Sequence, residues 1–163
     1  MDKVQVVKSN DADTRSAEGN VTKESLIKST LLHIGDVENV GTVLAKQFIE
    51  QIARHDHTKI EYIDEFYNDF KDQLENEDKN FKEMPWFKER HLTERHHLND
   101  SVPEDVNLLD VLEMVIDCTV AGLARSGSVY PLTIPQEVLE KAIDNTMNLI
   151  IENTEVIDPS INK

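Results

Sequence analysis

The sequence predicts an all-α fold, a single orthogonal array of about five helices, and three observations carry that expectation. Apolar residues recur at spacings of three and four along most of the chain. Hydrophobic residues make up 39% and charged residues 30%, with only five Gly and five Pro, a balance that suits a helix-rich globular chain. The length of 163 residues suits one hydrophobic core rather than two. Residues 22–158 are therefore read as one domain. Residues 1–21 form a flexible tail that stays mobile or adds a short strand through its apolar patch at residues 4–7, and residues 159–163 form a second tail.

Residues 22–54 form the first helix, with Leu26, His33, Val37, Val40 and Leu44 on one stripe, Phe48, Ile49 and Ile52 continuing inward, and a possible bend at Gly35. Residues 59–79 form a second helix, its apolar face of Ile60, Ile63, Phe66, Tyr67, Phe70 and Leu74 backed by an acidic outer face. Pro85 permits a new start, so residues 86–98 read as a histidine-rich helix or half-helix, with a loop over 99–107. Residues 108–125 are apolar almost all round the helical wheel, which predicts a central buried helix ending at Ser126-Gly127. The last helix opens on the capping-box spacing of Thr133 to Gln136 and runs to about Asn153, with Val138, Leu139, Ala142, Met147, Ile150 and Ile151 inward.

The formal net charge of -15 opposes attraction to nucleic-acid phosphates and to anionic membrane surfaces, and favours small molecules or protein partners. Cys118 is the single cysteine and cannot form an internal disulfide, no apolar run nears the length of a membrane span, and no signal-like stretch opens the chain. The expected location is cytoplasmic, the host cytoplasm if the chain is phage-encoded. There is no glycine-rich phosphate loop and no cysteine pair for zinc, and Ser126-Gly127-Ser128 reads as a helix-ending turn.

The chemistry-bearing residues cluster. Apart from His33, every histidine falls either at His55 and His57 or at His91, His96 and His97. In His55-Asp56-His57-Thr58-Lys59, adjacent His and Asp can both reach a metal from a helix end, and Lys59 can neutralise a phosphate oxygen. His33 reads either as a ligand or as a core histidine. On a helical wheel His96 and His97 differ by about 100°, so one of the pair suits a metal, another a phosphate or water, and at least one of the three histidines reads as surface. Asp110, Glu113 and Asp117 form a carboxylate strip. The first two are balanced between a solvated face and a site, whereas Asp117 is bracketed by apolar residues and needs a partner if buried. Trp86 is read as a core anchor in preference to a base-stacking platform.

The order His33, HDxxK at residues 55–59, Glu94-Arg95-His96-His97 and Asp117 on an apolar helix resembles the HD-domain superfamily of metal-dependent phosphohydrolases. More narrowly, residues 31–125, with the W-x4-H-x4-HH stretch, are similar to a small uncharacterised HD-like family of bacteria and phages. The resemblance implies an HD-domain-like helical bundle holding a divalent ion (Mn, Fe, Ni, Co, Zn or Mg) through His33, His55, Asp56 and Asp117. It also implies Lys59, His96 and His97 as auxiliary catalytic groups, and Arg54, Arg90, Arg95 and Arg125 as candidates for the substrate's charge. The expected activity is hydrolysis of a nucleotide or other small phosphorylated compound. The glycine-rich extension of the cyclic-dinucleotide branch is absent after His97.

Two further readings stand beside it: a non-catalytic helical binding protein, such as a modulator of a partner protein, and an acidic mimic of nucleic acid. The apolar last helix is compatible with a homodimer or with closure of the core.

Overall fold

The computed structural model describes residues 3–8, 21–76 and 78–158; the expectations for residues 9–20 and 159–163 lie outside the described residues. The fold is all-α, and the sheet among the described residues is a short two-stranded one. The chain groups into two compact units, one up to Ile49 and from Met147 onward, the other Glu50–Thr146.

In the first unit, β1 (Val4–Val7) pairs in parallel with β2 (Thr154–Ile157), with Val4 opposite Thr154 and Val7 opposite Ile157. The strand suggested by the N-terminal apolar patch thus forms, on a partner strand past the last helix that the sequence reading did not foresee. Backbone bonds extend the pairing at both ends, Val4 to Asn153 and Lys8 to Ile157, each 2.8 Å.

Helix α1 (Lys23–Ile52) is continuous through Gly35, with no break between Lys23 and Ile52. Its expected inward stripe is corrected: Leu26 is 38%, Val37 58% and Ile49 65% exposed, and His33 is exposed with them, while Val40, Leu44 and Phe48 are half-buried.

The second unit departs from the expected helices where the backbone breaks. Residues 59–79 are split at Tyr62 (φ -113°, ψ 41°) into α2 (His57–Glu61) and α3 (Ile63–Glu75). Pro85 does start a helix, but α4 (Pro85–Glu89) lasts five residues, is followed by a 3-10 turn at His91–Thr93, and no helix carries His96 or His97. Trp86 is buried and stacks on the His91 ring at 4.8 Å, within a cluster that also includes Phe66, Phe81 and Phe87. The expected core anchor therefore also carries a histidine.

Helix α5 (Leu108–Ser126) begins on a capping box between Asn107 and Asp110 and ends at Gly127, whose φ of 69° suits glycine. Its polarity is inverted relative to the sequence reading. Asp110 and Glu113 are buried, whereas Leu112, Val120 and Leu123 are 44%, 57% and 50% exposed. Counting apolar positions on a wheel misses this, because it cannot see that cations and amides satisfy the carboxylates. Helix α6 (Gln136–Glu152) gives Val138 and Ala142 to a core with Leu98, Val106 and Met114, while Met147 and Ile151 are exposed rather than inward.

Candidate metal centre

The site is built at the break after α1. Residues 53–56 turn, and Asp56 adopts left-handed backbone (φ 56°, ψ 20°), which Asp tolerates better than most residues, before α2 begins at His57. A left-handed aspartate at this step is a local strain of the kind that clusters at functional sites.

Around it, each histidine of the site is held differently. His55 Nδ1 lies 2.9 Å from Glu113 Oε1. A carboxylate only accepts, so Nδ1 is the donor, and a ring protonated there alone presents a lone pair at Nε2. That nitrogen lies 3.6 Å from Asp56 Oδ2 and 3.5 Å from Asp117 Oδ1, too far for hydrogen bonds. Each of these two separations is that of two ligands on one ion, since two donors of a tetrahedral ion at about 2.0–2.2 Å are themselves about 3.4 Å apart. The donor set therefore fits a divalent ion.

His91 Nδ1 lies 3.1 Å from Thr58 Oγ1, and its Nε2 lies 3.7 Å from the other Asp56 oxygen, Oδ1. His96 Nδ1 is 3.3 Å from Glu113 Oε1 without the alignment of a hydrogen bond, so both of its buried nitrogens lack a hydrogen-bond partner, as does His97 Nε2. Buried polar atoms are rarely left this way. Two groups emerge that can hold an ion, His55 with Asp56 and His96, and Asp56 with His91 and His97, each with its ligand atoms within 4.8 Å of one another. Asp56 belongs to both, and its two oxygens face the two sides.

Electrostatics follow the packing. Burial, then the neighbouring His97 and Lys59, push His91 down to about 3, and burial with His96 pushes His97 down to about 4. Both rings are therefore neutral and able to ligate at neutral pH. Burial also disfavours a charged His96, but Glu113, Asp117 and Asp56 outweigh it and raise its pKa. For Glu113 the burial penalty is outweighed by His96, His55 and Gln51, which hold it at about 2. Burial pushes Asp56 up, but the hydrogen bond and charge of Lys59, with smaller electrostatic contributions from His55 and His91, outweigh it and lower its pKa.

Of the residues singled out in the sequence, His55, Asp56, Lys59, His96, His97 and Asp117 come together, with Lys59 Nζ on Asp56 Oδ2. His33 lies in the other unit, exposed, and belongs to neither group. Arg95 is committed elsewhere, bonding both oxygens of Asp110 at 2.8 Å and Asp105 at 2.9 Å. Arg90 pairs with Glu65. Arg125 is exposed near the far end of α5. Arg54 is exposed and lines a cavity of about 290 Å³ with Gln51, Thr93, Glu94, Arg95 and Glu113.

The expectation of a surface histidine among the three is corrected, since His91 and His96 are buried and His97 is half-buried. The wheel argument fails because the helix it assumed ends at Glu89. Gln51 and Thr58 were not anticipated as supports for the site, and Glu113 was left balanced between a solvated face and a site. Its spacing, four residues before Asp117 on the same helix, placed it on the carboxylate strip without showing that it meets His55.

Comparison with family models, with curated proteins and with solved structures gives no match. Among the described residues no helix is long and apolar enough to cross a membrane.

Proposed function

We propose that this chain is a divalent-metal-dependent phosphohydrolase of HD-domain type acting on a nucleotide or another small phosphorylated compound. The observation that carries the reading is the pair of His/Asp groups sharing Asp56, in which buried imidazole nitrogens have no hydrogen-bond partner. His55, Asp56 and His96, with Asp117 adjoining, would hold one ion, and Asp56, His91 and His97 a second.

When bound, such ions polarise a phosphoryl oxygen and lower the pKa of a water nucleophile. The chain's own groups do the rest. Lys59, its side chain 36% exposed, pairs with Asp56 and is placed to neutralise a phosphate oxygen entering from solvent. Arg54, with no ion pair among the described residues, supplies a second positive charge at the cavity rim. Burial of His91 against Trp86 and Phe87 keeps water from one side of the site.

The reading is tested by turnover of a panel of nucleoside phosphates and simple phosphomonoesters with the protein metal-stripped and then reloaded with Mn2+. Activity that appears on reloading and is lost in Asp56→Asn supports it; no turnover of any panel member by the loaded protein contradicts it. A non-catalytic binding protein is the second reading. Exposed apolar residues on α1, including Ile27, Leu31 and Val37 at 59%, 63% and 58%, favour it, because clustered exposed apolar surface marks partner sites.

A further inference from the structure

The buried carboxylate of Glu113 touches both histidines of one ion group and neither histidine of the other. Its Oε1 lies 2.9 Å from His55 Nδ1 and 3.3 Å from His96 Nδ1. Its Oε2 accepts 2.7 Å from Gln51 Nε2, which also donates to Asp110 Oδ1 at 2.9 Å. Gln51 thereby fixes the rotation of the carboxylate, and Asp110, itself gripped by Arg95 and the Asn107 amide, fixes Gln51. The Glu113 side chain is 4% exposed, so it is not there to meet solvent. On the other side of Asp56, the contact to His91 Nδ1 comes from Thr58, a neutral hydroxyl.

We infer that Glu113 is the positioning residue of the His55–Asp56–His96 ion position: one oxygen accepts the Nδ1 proton of His55 and lies beside Nδ1 of His96, and so presents the Nε2 atoms of both rings as donors. The inference rests on the metal reading above and deepens it. A histidine ligand whose other nitrogen donates to a carboxylate is fixed in tautomer and orientation and made more basic, and losing such a partner weakens metal binding by about 10–100-fold. Because Thr58 serves the other position, the effect falls on one ion and not on both.

The experiment uses the full chain, 15N-labelled and metal-stripped, titrated with Zn2+. Imidazole nitrogen spectra report the tautomers, and a competing chelator reports the affinity of each ion. The expected result is a Nδ1-protonated His55 in the wild type. Glu113→Ala shifts His55 toward the Nε2-protonated form and weakens one of two Zn2+ ions by about 10–100-fold while sparing the second. Glu113→Gln, which keeps volume and an acceptor oxygen, loses less, and it decides alone if the alanine variant does not fold. Wild-type binding that neither variant changes, or a Nε2-protonated His55 in the wild type, overturns the role of Glu113 and leaves the metal reading standing. No Zn2+ bound by the wild type overturns both.

Discussion

Two buried polar clusters lie within one turn of each other on α5, and they differ in whether they are finished. Around Asp110, which is fully buried, every strong group is met: Arg95 bonds both carboxylate oxygens, Gln51 and the Asn107 amide complete them, and no further partner is needed. Around Asp56 and Glu113, His96 and His97 keep buried nitrogens without hydrogen bonds, and two carboxylates flank His55 Nε2 beyond hydrogen-bond distance. Burial alone does not separate scaffold from site, since both clusters are buried; the unmet valence does. The first cluster has the form of a structural network, and the second is the one proposed above as a metal site.

The comparison is broken most forcefully at its closed side. Arg95→Ala leaves Asp110 as an unpaired buried charge and is expected to destabilise by about 3 kcal/mol, the low end for a buried pair because Arg95 is partly exposed. Denaturant unfolding measures it, and the difference from the wild type should persist when both proteins are loaded with Zn2+.

Acid acts on the open side. His91 and His97 are held near 3 and 4, below the ordinary 6.5, so the unfolded chain takes up their protons first as pH falls. Their contribution to stability is whole above about pH 6.5 and is lost as pH drops from there toward 4, at up to about 1.4 kcal/mol per pH unit for each ring. Unfolding of the metal-stripped protein between pH 7.5 and 4.5 checks the sign. A flat profile in His91→Phe/His97→Phe would assign the slope to these rings.

Metal acts in the opposite direction. An ion at one hundred times its Kd adds about 2.7 kcal/mol, which for a chain of this size raises Tm by about 5–10 °C. A thermal scan with and without Zn2+ should show that rise in the wild type and in Arg125→Ala, and a smaller one in His97→Phe.

How far the sequence foretold the two clusters depends on the range of the signal. The His55–Lys59 motif and Asp117 were legible because adjacency and apolar brackets are local, and α5 was legible to within a residue at its C-terminal end because Gly127 marks it. The role of His91 was obscured by the assumption of a helix through residues 86–98, which the chain abandons at Glu89, and Glu113, like Asp110, was left balanced between solvent and site. Arg95 was read as a substrate group because its partner, Asp110, lies fifteen residues on and was itself left balanced between solvent and site. His33 shared a stripe with apolar residues, but that stripe is itself largely exposed, so periodicity carried no information about direction.

Smaller effects sharpen the contrast. His97→Phe replaces a ring with an unpaired nitrogen, packed against Phe87 and His91, by one of similar shape. Its metal-stripped stability at pH 7.5 is expected within about 1 kcal/mol of wild type or above it, because an unsatisfied buried polar group is removed. Arg125→Ala, at an exposed position, should change stability by less than about 0.5 kcal/mol.

The central claim is that the open cluster around Asp56 is a metal site, and elemental analysis of the purified protein tests it most directly. The account predicts up to two equivalents of Mn, Fe, Ni, Co or Zn per chain, as isolated or after reconstitution, falling to none in Asp56→Asn while Arg125→Ala retains them. A wild-type chain that stays metal-free after reconstitution with each of these ions, or an Asp56→Asn chain that keeps its full complement, would contradict it.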